Sequence, residues 1–156
     1  VVHAAGNASG VVDGAAAVVL TTADRAKADQ LDVWARIVAW SYVGVEPSEM
    51  GIGPVPAIRA CVDRAGVALR DVDRIEINEA FAAQYLGCEG ELELDRDKVN
   101  VNGGAIALGH PLGATGTRLV LTLMHELRRA KKRYGIASAC IGGGQGIAIL
   151  IENPAA

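Results

Sequence analysis

Aromatic side chains are scarce in this 156-residue chain, at 4%, and no cationic excess makes up for them, because the formal net charge is −3. Nucleic-acid surfaces rely on positive charge or stacking platforms, and anionic membranes on positive charge, so the composition argues against both partners. No apolar run reaches the roughly 18 residues that would span a bilayer, and the first residues lack the charged and apolar regions of a signal peptide. Cysteine is limited to Cys61, Cys88 and Cys140, with no Cys-x-x-Cys or Cys/His spacing. That pattern supports neither a disulfide framework nor a zinc site, and it fits a reducing compartment rather than secretion. The glycine-rich stretch from Gly109 to Gly116 lacks both the GxGxxG spacing and the Lys-Ser/Thr ending of a nucleotide phosphate loop.

What is present is a core. At 51% hydrophobic residues the chain is long enough for one domain and too short for two comfortable ones. Residues 15–21 form a short apolar run, and 34–45 is rich in Val, Ile, Trp and Tyr, so both read as strands. A turn-and-loop follows over 46–56. Ala57, Ile58, Cys61, Val62 and Ala65 then recur at helical spacing until Gly66 stops them. Residues 73–78 alternate as a strand and feed a helix from Ala80, and the charged stretch 87–98 reads as loop. A longer helix is expected from Gly113, with Val120, Leu123, Met124 and Leu127 on one face and a basic end at 128–133 that complements the helix dipole. Two apolar runs, 136–141 and 146–152, join through a glycine turn as a C-terminal antiparallel hairpin. Together these predict a layered α/β/α fold around a five-stranded mixed sheet.

Three positions carry chemistry. His110 lies just ahead of a helix, where free N–H groups and the dipole favour neutral imidazole, the form that accepts a proton. Standing alone, such a histidine is more often structural, and His3 and His125 are read that way. Cys140 ends a buried strand and enters a glycine turn whose Gly142 and Gly143 N–H groups could stabilise an oxyanion, while nearby positive potential would lower its thiol pKa. Most cysteines on apolar strands only pack, and Cys61 fits that reading. Cys88 sits among acidic neighbours that would raise its pKa. Asn78 closes a strand at the edge where α/β sheets bind ligands, or else caps the helix that follows.

These segments resemble one family, the thiolases. Asn7-Ala-Ser-Gly10 with Asp13-Gly-Ala-Ala, Met50-Gly-Ile-Gly-Pro-Val-Pro56, Asn78-Glu-Ala-Phe81, Asn102 through Gly113 and Cys140-Ile-Gly-Gly-Gly144 stand in the family's order and spacing. The resemblance spans the whole chain but only the C-terminal half of a thiolase, so residues 1–156 would be the C-terminal domain. The N-terminal half and the loop domain, with the nucleophilic cysteine, would be absent. The opening Val-Val-His, without Met, agrees with a piece of a longer protein.

The resemblance implies acyl transfer between 3-ketoacyl-CoA and CoA, with CoA or acetyl-CoA as substrate and no permanently bound cofactor or metal. His110 would activate the nucleophile, and Cys140 would exchange a proton with the acetyl α-carbon or the incoming thiol. Asn78 would hold a water that completes an oxyanion hole with His110, and Gly142 N–H would serve a second hole. Ala8, Ser9 and Gly10 would contact pantetheine, Ala80 and Phe81 would lie beside the thioester, and Met50 would line the acyl pocket. The implied partners are acyl-CoA, the N-terminal half and further copies in a homo-oligomer, in a bacterial cytoplasm or a mitochondrial matrix. The alternatives are a non-catalytic binding or assembly module on the same fold, or a ketoacyl synthase, against which the Cys140 segment argues.

Overall fold

The computed structural model describes residues 3–156; Val1 and Val2, on which part of the expectation of a longer protein rests, lie outside the described residues. A four-stranded sheet carries the fold, with strands β1 (Arg36–Gly44), β2 (Arg74–Ile77), β3 (Tyr134–Ile141) and β4 (Gln145–Glu152) in the order β1-β4-β3-β2. The expected C-terminal hairpin is present, with β3 and β4 antiparallel in the register Ile141↔Gln145. β4 also runs antiparallel to β1, while β2 and β3 are parallel with Ile75↔Ile136 and Ile77↔Ser138 in register. A parallel pair needs a long crossover. Here it runs through α3 (Ala82–Leu92), the short α4 (Ala105–Leu108) and α5 (Thr115–Ala130).

Strand alternation places apolar residues on both faces of this sheet, and a helix covers each face. Ala39, Ile75, Ile77, Ile136, Ala148 and Leu150 pack with Ile58, Cys61 and Val62 of α2 (Pro54–Ala65). On the opposite face Ala137 and Ile151 meet Leu119, Leu123 and Leu127 of α5, four residues apart and so one helical stripe. Each fully buried Ile or Leu contributes roughly 1.5–3 kcal/mol, so these two clusters hold the three layers together.

The sheet has four strands, not the expected five. Residues 15–21 are apolar but run as irregular chain, with Val19 91% and Leu20 74% exposed. Strand composition becomes a strand only where a neighbouring edge pairs its N–H and C=O groups, and among the described residues no ladder takes up this segment. Beyond β2 the sheet continues as a single parallel bridge, Ile75↔Val99. It stops there because Asn100 turns into the left-handed region at φ 48 and the chain closes a turn, Gly103 N–H donating to Asn100 O at 2.9 Å.

Two smaller differences have equally local causes. α3 reaches Leu92 through half of the stretch expected as loop, because Gln84, Cys88 and Leu92 form a buried i, i+4 stripe among the charges. The 46–56 segment contains a 3-10 turn at Pro47–Ile52, and α2 already begins at Pro54, a residue suited to a first helical turn. A six-residue helix, α1 (Ala23–Ala28), capped by Thr22, was not foreseen. Among the described residues no helix is long and apolar enough to cross a membrane.

The β3–β4 turn lies backbone to backbone on the residues after β1. Val45 N–H donates to Gly144 O at 2.8 Å, and a Cβ at Gly146 would overlap the Gly53 carbonyl. Two backbones this close leave no room for a side chain. Gly146→Ala should therefore destabilise the fold by about 1–3 kcal/mol or more, whereas Gly116→Ala in α5, where a Cβ meets nothing, should stabilise it by up to about 1 kcal/mol. Urea midpoints of the two variants check both signs.

Candidate active site

β2 and β3 run parallel, so their C-terminal ends share one edge of the sheet. Asn78 follows β2 there, with its N–H donating to Ser138 O at 2.9 Å, and Cys140 lies two residues further along β3. The Asn100 carboxamide takes the place of a missing strand: Ile77 N–H donates to its Oδ1 at 2.9 Å, and its Nδ2 donates to Ile77 O at 3.0 Å. The same Nδ2 reaches Glu79 Oε1 at 3.0 Å, while Glu79 Oε2 accepts from Ile106 N–H at 3.1 Å at the start of α4. Gly104 is glycine for that reason, since a Cβ would overlap the Glu79 carboxylate.

From α4 the chain passes directly to His110, whose N–H donates to Gly10 O at 2.9 Å. Its Nε2 lies 3.3 Å from Asn78 Nδ2, and its Nδ1 lies 2.6 Å from Thr115 Oγ1. Asn78 is 1% exposed, and its Oδ1 has no hydrogen-bond partner among the described residues. It does not cap α3, which begins at Ala82 with Phe81 in the cap position.

Residues 7–10 strap the histidine loop to the start of α3. Ser9 donates to Ala80 O through N–H at 3.1 Å and Oγ at 3.3 Å, Ala82 N–H donates to Asn7 O at 2.9 Å, and Ala8 bridges Phe81. Ala8, Ser9, Gly10, Ala80 and Phe81 are thereby gathered beside His110. His3, Ala8, Ser9, Gly10 and Ile106 line an open depression of about 520 Å³, with the His3 ring 4.2 Å from that of Phe81. Met50 is half-buried in the 3-10 turn, and Gly142 lies in the exposed β3–β4 turn. Neither Met50, Gly142 nor Cys140 hydrogen-bonds to the Asn78–His110 pair. Sequence reasoning missed the supporting roles of Thr115, Glu79 and Asn100; the available signal was an amide and a carboxylate flanking two chemistry-bearing segments.

The family model described as "Thiolase, C-terminal domain" matches residues 31–153. The chain belongs to the thiolase family. Among its relatives, human mitochondrial 3-ketoacyl-CoA thiolase is 56% identical over 151 residues, 97% of this chain and 38% of that protein. Mouse cytosolic acetyl-CoA acetyltransferase is 56% identical over 147 residues, covering 94% of this chain and 37% of its own length. The crystal structure of the Bacillus anthracis acetyl-CoA acetyltransferase superposes with a TM-score of 0.94 at 55% identity, covering 96% of this chain and 38% of that one. A crystal structure of the human mitochondrial enzyme in complex with CoA superposes with a TM-score of 0.90 at 50% identity, over 97% and 38% of the two chains. The chain thus spans a little over a third of the length of these thiolases.

Burial sets the electrostatics of this thiolase domain. It pushes His110 below the ordinary histidine value, with the nearby Arg118 charge acting in the same direction. The direction agrees with the sequence-based expectation, but its causes are burial and Arg118 rather than helix N–H groups and the dipole. The Cys140 thiol is raised by burial, which corrects the expectation that positive potential lowers it. Cys88 is pushed up to about 11, again by burial first; the acidic neighbours invoked for it are not the cause. Arg118 pairs with the buried Glu76 at 3.3 Å, yet burial still lifts that carboxyl to about 7. The basic end of α5 is ion-paired, Arg128 to Asp32 at 3.1 Å and Arg133 to Glu152 at 2.8 Å. Among the described residues no group of three or more His, Cys, Asp and Glu could hold a metal.

Glu76 titrates near 7 when folded against an ordinary value of 4.5, so the folded state holds its proton more tightly. Its contribution to stability therefore falls as pH rises from about 4.5 to about 7, approaching 1.4 kcal/mol per pH unit. The difference in unfolding free energy between wild type and Glu76→Gln should show this slope, because the opposing His110 titration is common to both. Iodoacetamide at neutral pH should modify Cys140 slowly, faster as pH rises, and well ahead of Cys61 and Cys88, which are fully buried. Peptide mapping against time reads that order.

Proposed function

We propose that this chain is the C-terminal catalytic domain of a thiolase, supplying the acid/base and oxyanion groups for acyl transfer between 3-ketoacyl-CoA and CoA. The observation that carries the reading is the Asn78 Nδ2 to His110 Nε2 approach of 3.3 Å at the sheet edge, beside the Ser9–Ala80 strap. The nucleophile is a cysteine outside these 156 residues. Cys61 and Cys88 are buried with raised pKa, unsuited to attack on the 3-keto carbon.

In this reading His110 takes the nucleophile's proton. The resulting thiolate attacks the 3-keto carbon, the C–C bond breaks, and the acyl group stays on the cysteine while acetyl-CoA departs as its carbanion. Cys140 protonates that carbanion. A thiol kept protonated by burial is suited to this step, so the raised pKa serves the role better than a lowered one would. CoA thiol then gives its proton to Cys140 and attacks the acyl-enzyme, releasing acyl-CoA and expelling the cysteine thiolate, which takes its proton back from His110. Asn78, with an orphan carbonyl oxygen beside the His110 ring, supports a hydrogen-bonded water that shares the thioester oxyanion with His110. Gly142 N–H serves the oxyanion at the nucleophile's carbonyl. Ala8, Ser9 and Gly10 contact pantetheine, Ala80 and Phe81 flank the thioester, and Met50 lines the acyl pocket.

The exposed strip that includes Val11, Val19 and Leu20 supports the expected partners, since large apolar surface on a domain marks association. The N-terminal half of the same enzyme covers it, within a homo-oligomer of the bacterial cytoplasm or mitochondrial matrix.

In the complete natural protein, thiolysis of a 3-ketoacyl-CoA should follow ping-pong kinetics. His110→Ala and Cys140→Ala should each lower kcat at least about 100-fold, and Asn78→Ala by about 100- to 1,000-fold. Undiminished turnover in any of the three would remove that residue from the mechanism.

A further inference from the structure

His110 is a base only if the correct nitrogen carries its lone pair, and the hydrogen bonds around the ring decide which one does. Thr115 Oγ1 has a single proton. It lies 3.0 Å from Pro111 O, a carbonyl that can only accept, so that proton is committed to Pro111. The oxygen must then accept at its other contact, the 2.6 Å approach of His110 Nδ1. Were Thr115 to donate to Nδ1 instead, two oxygen lone pairs would face each other at 3.0 Å with no proton between them.

On the far side of the ring the Asn78 carboxamide stands 3.3 Å from Nε2, and either end of an amide can serve that nitrogen, an N–H donating to a lone pair or Oδ1 accepting from an Nε2–H, so the Thr115 contact alone decides the tautomer. Thr115 is 3% exposed on the first turn of α5, so no competing water displaces it, and the backbone bonds from Ala114 and Thr115 N–H to Pro111 O fix its distance from the ring.

From this geometry we propose that Thr115 is a positioning residue that holds His110 in the Nδ1–H tautomer and reserves Nε2 as the proton acceptor. This deepens the thiolase reading and rests on it only for the consequence in catalysis. Free imidazole side chains in water favour the opposite tautomer, with the proton on Nε2, so the assignment is one that the fold must impose. After Nε2 takes a proton, both ring nitrogens are donors: Nδ1–H stays on Thr115 and Nε2–H points towards the substrate.

The test uses the complete natural protein labelled with 15N-histidine, in which two-bond proton–nitrogen spectra report each ring's tautomer and His110→Gln identifies the His110 signals. Wild type and Thr115→Ser should show Nδ1–H, and Thr115→Val should shift to Nε2–H. Thiolysis should fall at least about tenfold in kcat for Thr115→Val with KM changed less than about twofold, and Thr115→Ser should restore it. Nε2–H in the wild type, or Nδ1–H retained in Thr115→Val, would overturn the proposal. If Thr115→Val fails to fold, the wild-type tautomer alone still decides. Failure of the thiolase reading has a different signature, since absent thiolysis in the wild type would leave the tautomer assignments unchanged.

Discussion

The Asn100 carboxamide is the interaction on which the arrangement turns. By exchanging two hydrogen bonds with the backbone of Ile77, it does for the end of β2 what a fifth strand would otherwise do. Its third bond, to Glu79, extends the same clamp to the opening of α4 through Ile106 N–H. Asn78 lies between two residues held by this one side chain, and His110 is a few residues beyond its far end. The two groups that meet at 3.3 Å are therefore set by a shared anchor rather than by two loops finding each other. Ordering such a site once, during folding, spares the reacting complex that entropy.

Most of the fold was legible because periodicity and composition speak for themselves in the buried elements. Strands β1 to β4 and helices α2 and α5 were expected, and Gly66 stops α2 as predicted. What misled was apolar composition without a partner edge at 15–21, and charge masking a buried stripe at 84–92. Both errors share one physical cause: pairing and packing are properties of the surroundings, and local sequence reports them only when period and burial coincide. For the candidate site, motif spacing singled out Asn78, His110, Ser9 and Ala80, which the fold gathers at one place. Their supports were not singled out. Asn100, Glu79 and Thr115 act through side-chain hydrogen bonds across 20 or more positions or across one helical turn, and neither pattern leaves a period to read.

The electrostatics favour neutrality wherever chemistry is expected. Burial lowers His110 and raises Cys140, so an uncharged imidazole and an uncharged thiol stand at one sheet edge. In the reaction proposed above, a neutral pair suits proton shuttling, because neither group must shed a tightly held counterion first. Glu76 and Arg118 are tied to each other on the α5 side of the sheet, and the Arg118 charge also acts against protonation of the imidazole.

The Gly10 peptide acts as a mechanical coupling. Its carbonyl is tied to His110 N–H, the residues just before it are laced to α3, and Val12, two residues later, packs against Gly109. The freely exposed strip therefore starts within two residues of the histidine's own backbone. A displacement of that strip would reach the His110 backbone through no more than two residues and one hydrogen bond.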